Sequence, residues 1–153
     1  VEVSDYVIDC GKRASEHYKI PLELSKYLPP KLDFKDEYFD VIISHASIYY
    51  NVEFEKFLKE TSRILKKNGN FSHRIIALDH GYFENGYAKH CGDNIFEWIN
   101  YPIDHLNGIK FVVFEENELH DLFNKYFNDV SIHYYKYGYK SVKQSWWTIT
   151  GVK

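Results

Sequence analysis

The sequence predicts an α/β domain with a mainly parallel sheet that ends in an antiparallel hairpin. Three observations carry this. The run Phe39-Asp40-Val41-Ile42-Ile43-Ser44-His45 is apolar at its centre without alternation, the pattern of a parallel strand covered on both faces. Phe54, Phe57, Leu58, Thr61, Ile64 and Leu65 recur at helical spacing and define one helix face. Residues 130–139 and 144–152 read as two strands about the turn Tyr137-Gly138-Tyr139-Lys140-Ser141.

The remaining elements follow in order. Val1-Glu2-Val3 is β-branched and reads as a strand end, and Ser4 or Asp5 can cap the helix after it. That helix turns Val7, Ile8, Ala14 and Tyr18 inward and Lys12, Arg13 and Glu16 outward. Ile20-Pro21-Leu22-Glu23-Leu24 is a weak strand, limited by its proline, and Tyr27-Leu28-Pro29-Pro30-Lys31 is a loop. Val41, Ile42 and Ile43 are then expected fully buried in a central strand. Asn51 suits a helix cap before Phe54. Lys66 and Lys67 suit that helix's carboxyl end, and Gly69 its left-handed cap. Residues 70–78 form the next strand. Residues 79–108 are aromatic, rich in His and Gly, and weakly periodic, so a long loop acting as a lid is expected there. Residues 108–114 are largely apolar. Glu115-Glu116-Asn117-Glu118 opens a helix with Leu119, Leu122, Phe123 and Phe127 on one face.

Composition bounds the function. The 153 residues suit one core, with 44% hydrophobic and 27% charged residues. A net charge of −3 offers no electrostatic footprint for nucleic acid. Every apolar run is far shorter than the ~20 residues a membrane helix needs, and no signal peptide is visible. Cys10 and Cys91 lack metal spacing and read as free thiols in a reducing cytoplasm. The chain opens at Val1 and contains no Met, so the biological start is expected upstream.

Several stretches together resemble class I S-adenosylmethionine-dependent methyltransferases of the small-molecule, type 11-like branch. Residues 1–18, VEVSDYVIDCGKRASEHY, resemble the family's second strand and following helix. Residues 32–50, LDFKDEYFDVIISHASIYY, resemble its Leu-Pro-Phe-x-acid-x-x-Phe-Asp-Val-Ile segment. Residues 54–71, FEKFLKETSRILKKNGNF, resemble the next helix and its Lys-Pro-Gly-Gly turn. Residues 114–123, FEENELHDLF, resemble the late helix. The resemblance implies a Rossmann-like sheet, mostly parallel with a carboxyl-terminal antiparallel hairpin, in one methyltransferase-like domain over 1–153 with a lid insertion at about 79–108. The family's glycine-rich first strand and loop have no counterpart and would lie before Val1. The acid after its third strand has no clear equivalent in Leu22 to Pro30. Asn68-Gly69 stands where the family has Pro-Gly.

The resemblance also implies S-adenosylmethionine as cofactor and methyl transfer to a small molecule, for instance a sugar or metabolite hydroxyl. Glu2, with Val3, falls where the family binds the cofactor ribose. Asp33 and Phe34 fall near the adenine, and Ser44, His45 and Ala46 line the methionine end. His45 is the candidate general base, weighed against a ring that only packs. Tyr49, Tyr50, His80 and Tyr82 are candidates for the acceptor wall, weighed against plain aromatic core. His73, His90 and His105 complete a histidine set whose separations do not suit a metal. Trp146 and Trp147 are adjacent on a strand and must face opposite sides. A non-catalytic binding or scaffold subunit of the same fold is the alternative, and a nicotinamide-binding domain lacks a recognisable second half.

Overall fold

The computed structural model describes residues 5–26, 31–103, 106–139 and 142–153. The chain divides into two compact units, Val1–Asp33 and Phe34–Lys153. Glu2, Val3 and His105 lie outside the described residues.

In the first unit, α1 spans Asp5–Tyr18. Asp5 pairs with Lys26 at 2.7 Å, and Ser15 Oγ donates to the carbonyl of Ile20 at 2.6 Å. The expected inward face is only partly realised. Ile8 is buried, whereas Val7 is 47% and Tyr18 69% exposed. Residues 20–24 do not form a strand, in keeping with the proline at 21.

The second unit is built on a four-stranded sheet in the order β1, β2, β7, β6. These strands are Phe39–His45, Leu65–Ile76, Val142–Val152 and Asn128–Tyr139. β1 runs parallel to β2, while β7 is antiparallel to both β2 and β6. The expected hairpin is present. The expectation of a mostly parallel sheet is corrected, since one pairing of the three among the described residues is parallel.

Two helices cover one face of this sheet. α2, Phe54–Ile64, buries Phe54, Leu58, Thr61 and Ile64. α4, Glu116–Phe123, buries Leu119 and Phe123. They meet Phe71, His73 and Ile75, which alternate along β2 toward the same side. Phe71 stacks on Phe123 at 5.6 Å and touches Phe127 at 4.2 Å, and Phe57 reaches His73 at 6.4 Å. α4 starts on a complete capping box between Glu115 and Glu118.

The central-strand expectation for Val41, Ile42 and Ile43 is overturned. Among the described residues β1 pairs only with β2, at the end of the sheet order. Its register places Val41 opposite Asn70 and Ile43 opposite Ser72, away from the helices. Val41 is 54% and Ile43 67% exposed. A short apolar run is equally compatible with one or two covered faces, so its periodicity alone could not choose.

The junction into β2 is also corrected. α2 ends at Ile64, and the strand begins at Leu65, so Lys66 and Lys67 lie on a strand and not on a helix end. The left-handed residue is Asn68, with φ 61°, a conformation Asn tolerates. Gly69 serves close packing, because a Cβ there would lie 2.8 Å from Leu65 Cδ1.

Residues 79–108 are not a structureless loop. α3 spans Gly81–Glu84. β3, Ala88–His90, and β4, Ile95–Trp98, join β5, Lys110–Val112, in an antiparallel sheet. Trp98 is fully buried and stacks on Phe111 at 4.0 Å. The alternation was masked by the shortness of each strand and by aromatics on both faces. No helix among the described residues is long and apolar enough to cross a membrane.

Candidate active site

β1 ends at His45, and the chain turns at once through Ala46, which takes φ 57°. The Ala46 N–H donates to the carbonyl of Arg74 at 3.1 Å, tying the turn to β2. Ser44 and Ser47 hydroxyls lie 2.9 Å apart, so one donates a hydrogen bond to the other across the turn. His45 is exposed, with Nε2 3.1 Å from Ser72 Oγ on the neighbouring strand. A one-turn 3-10 helix, Ile48–Tyr50, follows and buries Tyr49. Ser44, His45, Ala46, Tyr49 and Tyr50 are therefore together at the carboxyl end of a parallel strand, where open α/β sheets hold ligands.

The tyrosines form a phenol cluster with no charged member. Tyr49 and Tyr50 lie 4.5 Å apart, and Tyr49 packs on Phe111 at 6.2 Å and Trp146 at 6.3 Å. Tyr82 approaches Tyr101 at 5.1 Å and hydrogen-bonds it. Burial pushes the Tyr49 phenol well above its ordinary value, with Tyr50 adding to the effect. Burial and the Tyr82 hydrogen bond likewise raise Tyr101. These groups stay neutral at physiological pH and offer hydroxyl donors and acceptors only.

His80 is fully buried, with Nδ1 accepting from the Tyr82 backbone N–H at 3.2 Å and Nε2 3.0 Å from Gln144 Oε1. With both nitrogens engaged, its ring is a structural pin between α3 and β7, and burial lowers its pKa. Phe34 packs in a small aromatic group, 5.9 Å from Tyr38 and 4.8 Å from Phe39, and its carbonyl accepts from Arg63. Asp33 is exposed. His90 is exposed, with Nε2 2.6 Å from the Asp93 carbonyl. Among the described residues no group of three His, Cys, Asp or Glu is placed to hold a metal ion.

Arg74 was missed by the sequence reading. It pairs with His45 across β1 and β2. Its guanidinium carbon lies 4.4 Å above the Trp146 ring and 5.2 Å above Tyr135. The one available signal was a lone arginine inside the apolar strand His73-Arg74-Ile75-Ile76. Of the tryptophan pair, Trp146 is buried here and Trp147 packs half-buried against Tyr134.

The fold is an α/β one that solved methyltransferase structures share. Residues 1–72 match the family described as a methyltransferase domain. No curated protein matches the chain in sequence. Among solved structures, a SAM-dependent methyltransferase of Methanosarcina mazei superposes with a TM-score of 0.76 at 14% identity, over 99% of this chain and 79% of that one. A possible histamine N-methyltransferase of Thermotoga maritima gives 0.62 at 21% identity, over 93% and 70%. A methyltransferase of Clostridium acetobutylicum gives 0.64 at 12% identity, over 99% and 73%. The resemblance read from the sequence thus holds in the family match and in the fold. The match over residues 1–72 is to a methyltransferase domain, and the solved structures add a likeness of fold.

Proposed function

We propose that this protein methylates a hydroxyl of a small, largely uncharged acceptor, such as a sugar or metabolite, with His45 as general base. The observation that carries this reading is the exposed His45 ring at the carboxyl end of β1, held by Ser72 and followed directly by the Tyr49–Tyr50 wall.

The donor set at this turn suits the polar part of the cofactor: the hydroxyls of Ser44 and Ser47 and the accessible ring of His45. S-Adenosylmethionine, when bound, supplies an electrophilic sulfonium methyl. Phe34 is proposed to lie at its adenine and Ser44 to Ala46 at its methionine end. In the tautomer that donates Nε2–H to Ser72 Oγ, the His45 lone pair resides on Nδ1, free to take the acceptor's proton as its oxygen attacks. Ser72 thereby orients the base. Tyr50 and Tyr82 are proposed to align the acceptor through hydroxyl hydrogen bonds. His80 supports Tyr82 through its backbone N–H. The segment 79–108 is proposed to close over the acceptor and exclude water, so that proximity and orientation supply most of the rate.

The test is transfer of labelled methyl from S-adenosylmethionine to a panel of sugars, phenols and amines. Label in a hydroxyl acceptor, lost in His45→Ala, is expected. Label only in amines, or turnover indifferent to His45, overturns the assignment.

A further inference from the structure

The sequence holds three Asn-Gly pairs, Asn68-Gly69, Asn85-Gly86 and Asn107-Gly108. In such a pair the glycine has no side chain to keep its nitrogen from the asparagine amide carbon. The three pairs are chemically alike, and the fold treats them differently. Asn107 has its amide tied at both ends: Oδ1 accepts from the Tyr101 N–H at 2.8 Å, and Nδ2 donates to the Tyr101 carbonyl at 3.2 Å. The Asn68-Gly69 peptide is flanked by two backbone bonds to Lys153, at 3.0 and 3.1 Å. Gly69 is buried, and a Cβ there would lie 2.9 Å from the Lys66 carbonyl, so this peptide has little room to turn.

Asn85 and Gly86 are both exposed. The Asn85 side chain has no hydrogen-bond partner among the described residues. Gly86 takes φ 72°, and a Cβ there would meet nothing within 4 Å among the described residues. Its N–H donates to the Phe83 carbonyl at 3.1 Å, and the Tyr87 N–H donates to the Tyr82 carbonyl at 2.9 Å. Both bonds close the end of α3, a helix of four residues, and a single turn opens at little cost on its own. What holds α3 is His80, whose Nε2 lies 3.0 Å from Gln144 Oε1 and whose Nδ1 accepts from the Tyr82 N–H at 3.2 Å.

We infer that Asn85 is a site of spontaneous deamidation and that the His80–Gln144 bond governs its rate. When the end of α3 opens, the Gly86 nitrogen attacks Asn85 Cγ. The new C–N bond closes a cyclic imide, the Cγ–Nδ2 bond breaks, and Nδ2 leaves as ammonia with the Gly86 proton. Water then opens the imide. Cleavage at Cγ gives aspartate, and cleavage at the backbone carbonyl gives isoaspartate. No oxidant or reductant is needed. Isoaspartate lengthens the chain between Tyr82 and Tyr87 by one carbon and sets a carboxylate next to Glu84, which pairs with Lys143 at 2.8 Å. This chemistry is independent of methyl transfer.

The full chain is incubated at mildly alkaline pH, folded and in guanidinium chloride, and digested for mass spectrometry. In the folded protein a gain of about 1 Da should arise first in the peptide that holds Asn85, about tenfold faster than at Asn68 or Asn107. In guanidinium chloride the three rates should converge. Gln144→Leu should speed the Asn85 reaction about tenfold and leave Asn107 unchanged. If Gln144→Leu fails to fold by circular dichroism, the wild-type ranking and its loss on unfolding carry the test. Earlier modification at Asn68 or Asn107, or an Asn85 rate unmoved in folded Gln144→Leu, would overturn the assignment.

Discussion

His73 and Phe71 alternate onto the same covered face of β2, with ring centroids 5.2 Å apart. His73 is wholly buried there, and neither ring nitrogen has a hydrogen-bond partner among the described residues. Burial, reinforced by nearby His45, lowers its pKa from 6.5 to about 3. The folded state therefore disfavours the proton that the unfolded chain accepts. The contribution is fully present above about pH 6.5 and is lost as pH falls toward about 3. Each unit of that interval is worth about 1.4 kcal/mol. His73→Leu should remove most of this pH dependence. At neutral pH it should leave stability unchanged or raise it by about 1 kcal/mol, because an unpaired polar group is removed. Urea unfolding of both proteins at pH 7.5 and pH 5 measures the difference.

The His80–Gln144 bond should behave in the opposite way. Gln144→Leu strands a buried Nε2–H, so the expected cost is about 1–3 kcal/mol. Thermal unfolding checks it. Loss of the pin between α3 and β7 should also quicken amide exchange in Gly81–Glu84.

Gly151 marks where β7 passes closest to its neighbours. A Cβ there would lie 2.7 Å from Phe71 Cε1 and 2.9 Å from the backbone oxygen of Asn128. The ring can shift slightly, but the carbonyl belongs to the paired strand. Gly151→Ala should therefore destabilise the protein by about 1–3 kcal/mol. An unchanged urea midpoint would mean the sheet relaxes freely at that point.

His45→Ala should lower turnover by about 100-fold, the usual scale for a general base. Ser72→Ala should have a smaller effect, because it frees the ring's orientation without removing the base. Near-UV circular dichroism of each variant separates these losses from misfolding. Equal turnover in His45→Ala would assign proton removal to solvent or to the acceptor itself.

Much of the fold was legible in local pattern. The apolar face of Phe54, Leu58, Thr61 and Ile64 did become the buried side of α2. Glu115 and Glu118 did form a helix start, and residues after 128 did form an antiparallel pair. These features depend on neighbours three or four residues away, or on strands joined by one turn, so spacing reveals them. The grouping of Ser44, His45, Tyr49 and Tyr50 was legible for the same reason, being one continuous strand and turn. What tertiary structure decided was coverage. Which side of Val41 and Ile43 meets helices depends on α2 and α4 packing onto the opposite face, contacts made by distant parts of the chain. That His80 Nε2 meets Gln144, 64 positions later, likewise depends on tertiary pairing. Arg74 looked like an interruption of an apolar strand until the register set it beside His45 and over Trp146. Hydrophobic periodicity states that a residue prefers burial or solvent, while long-range pairing determines which partner satisfies or exposes it.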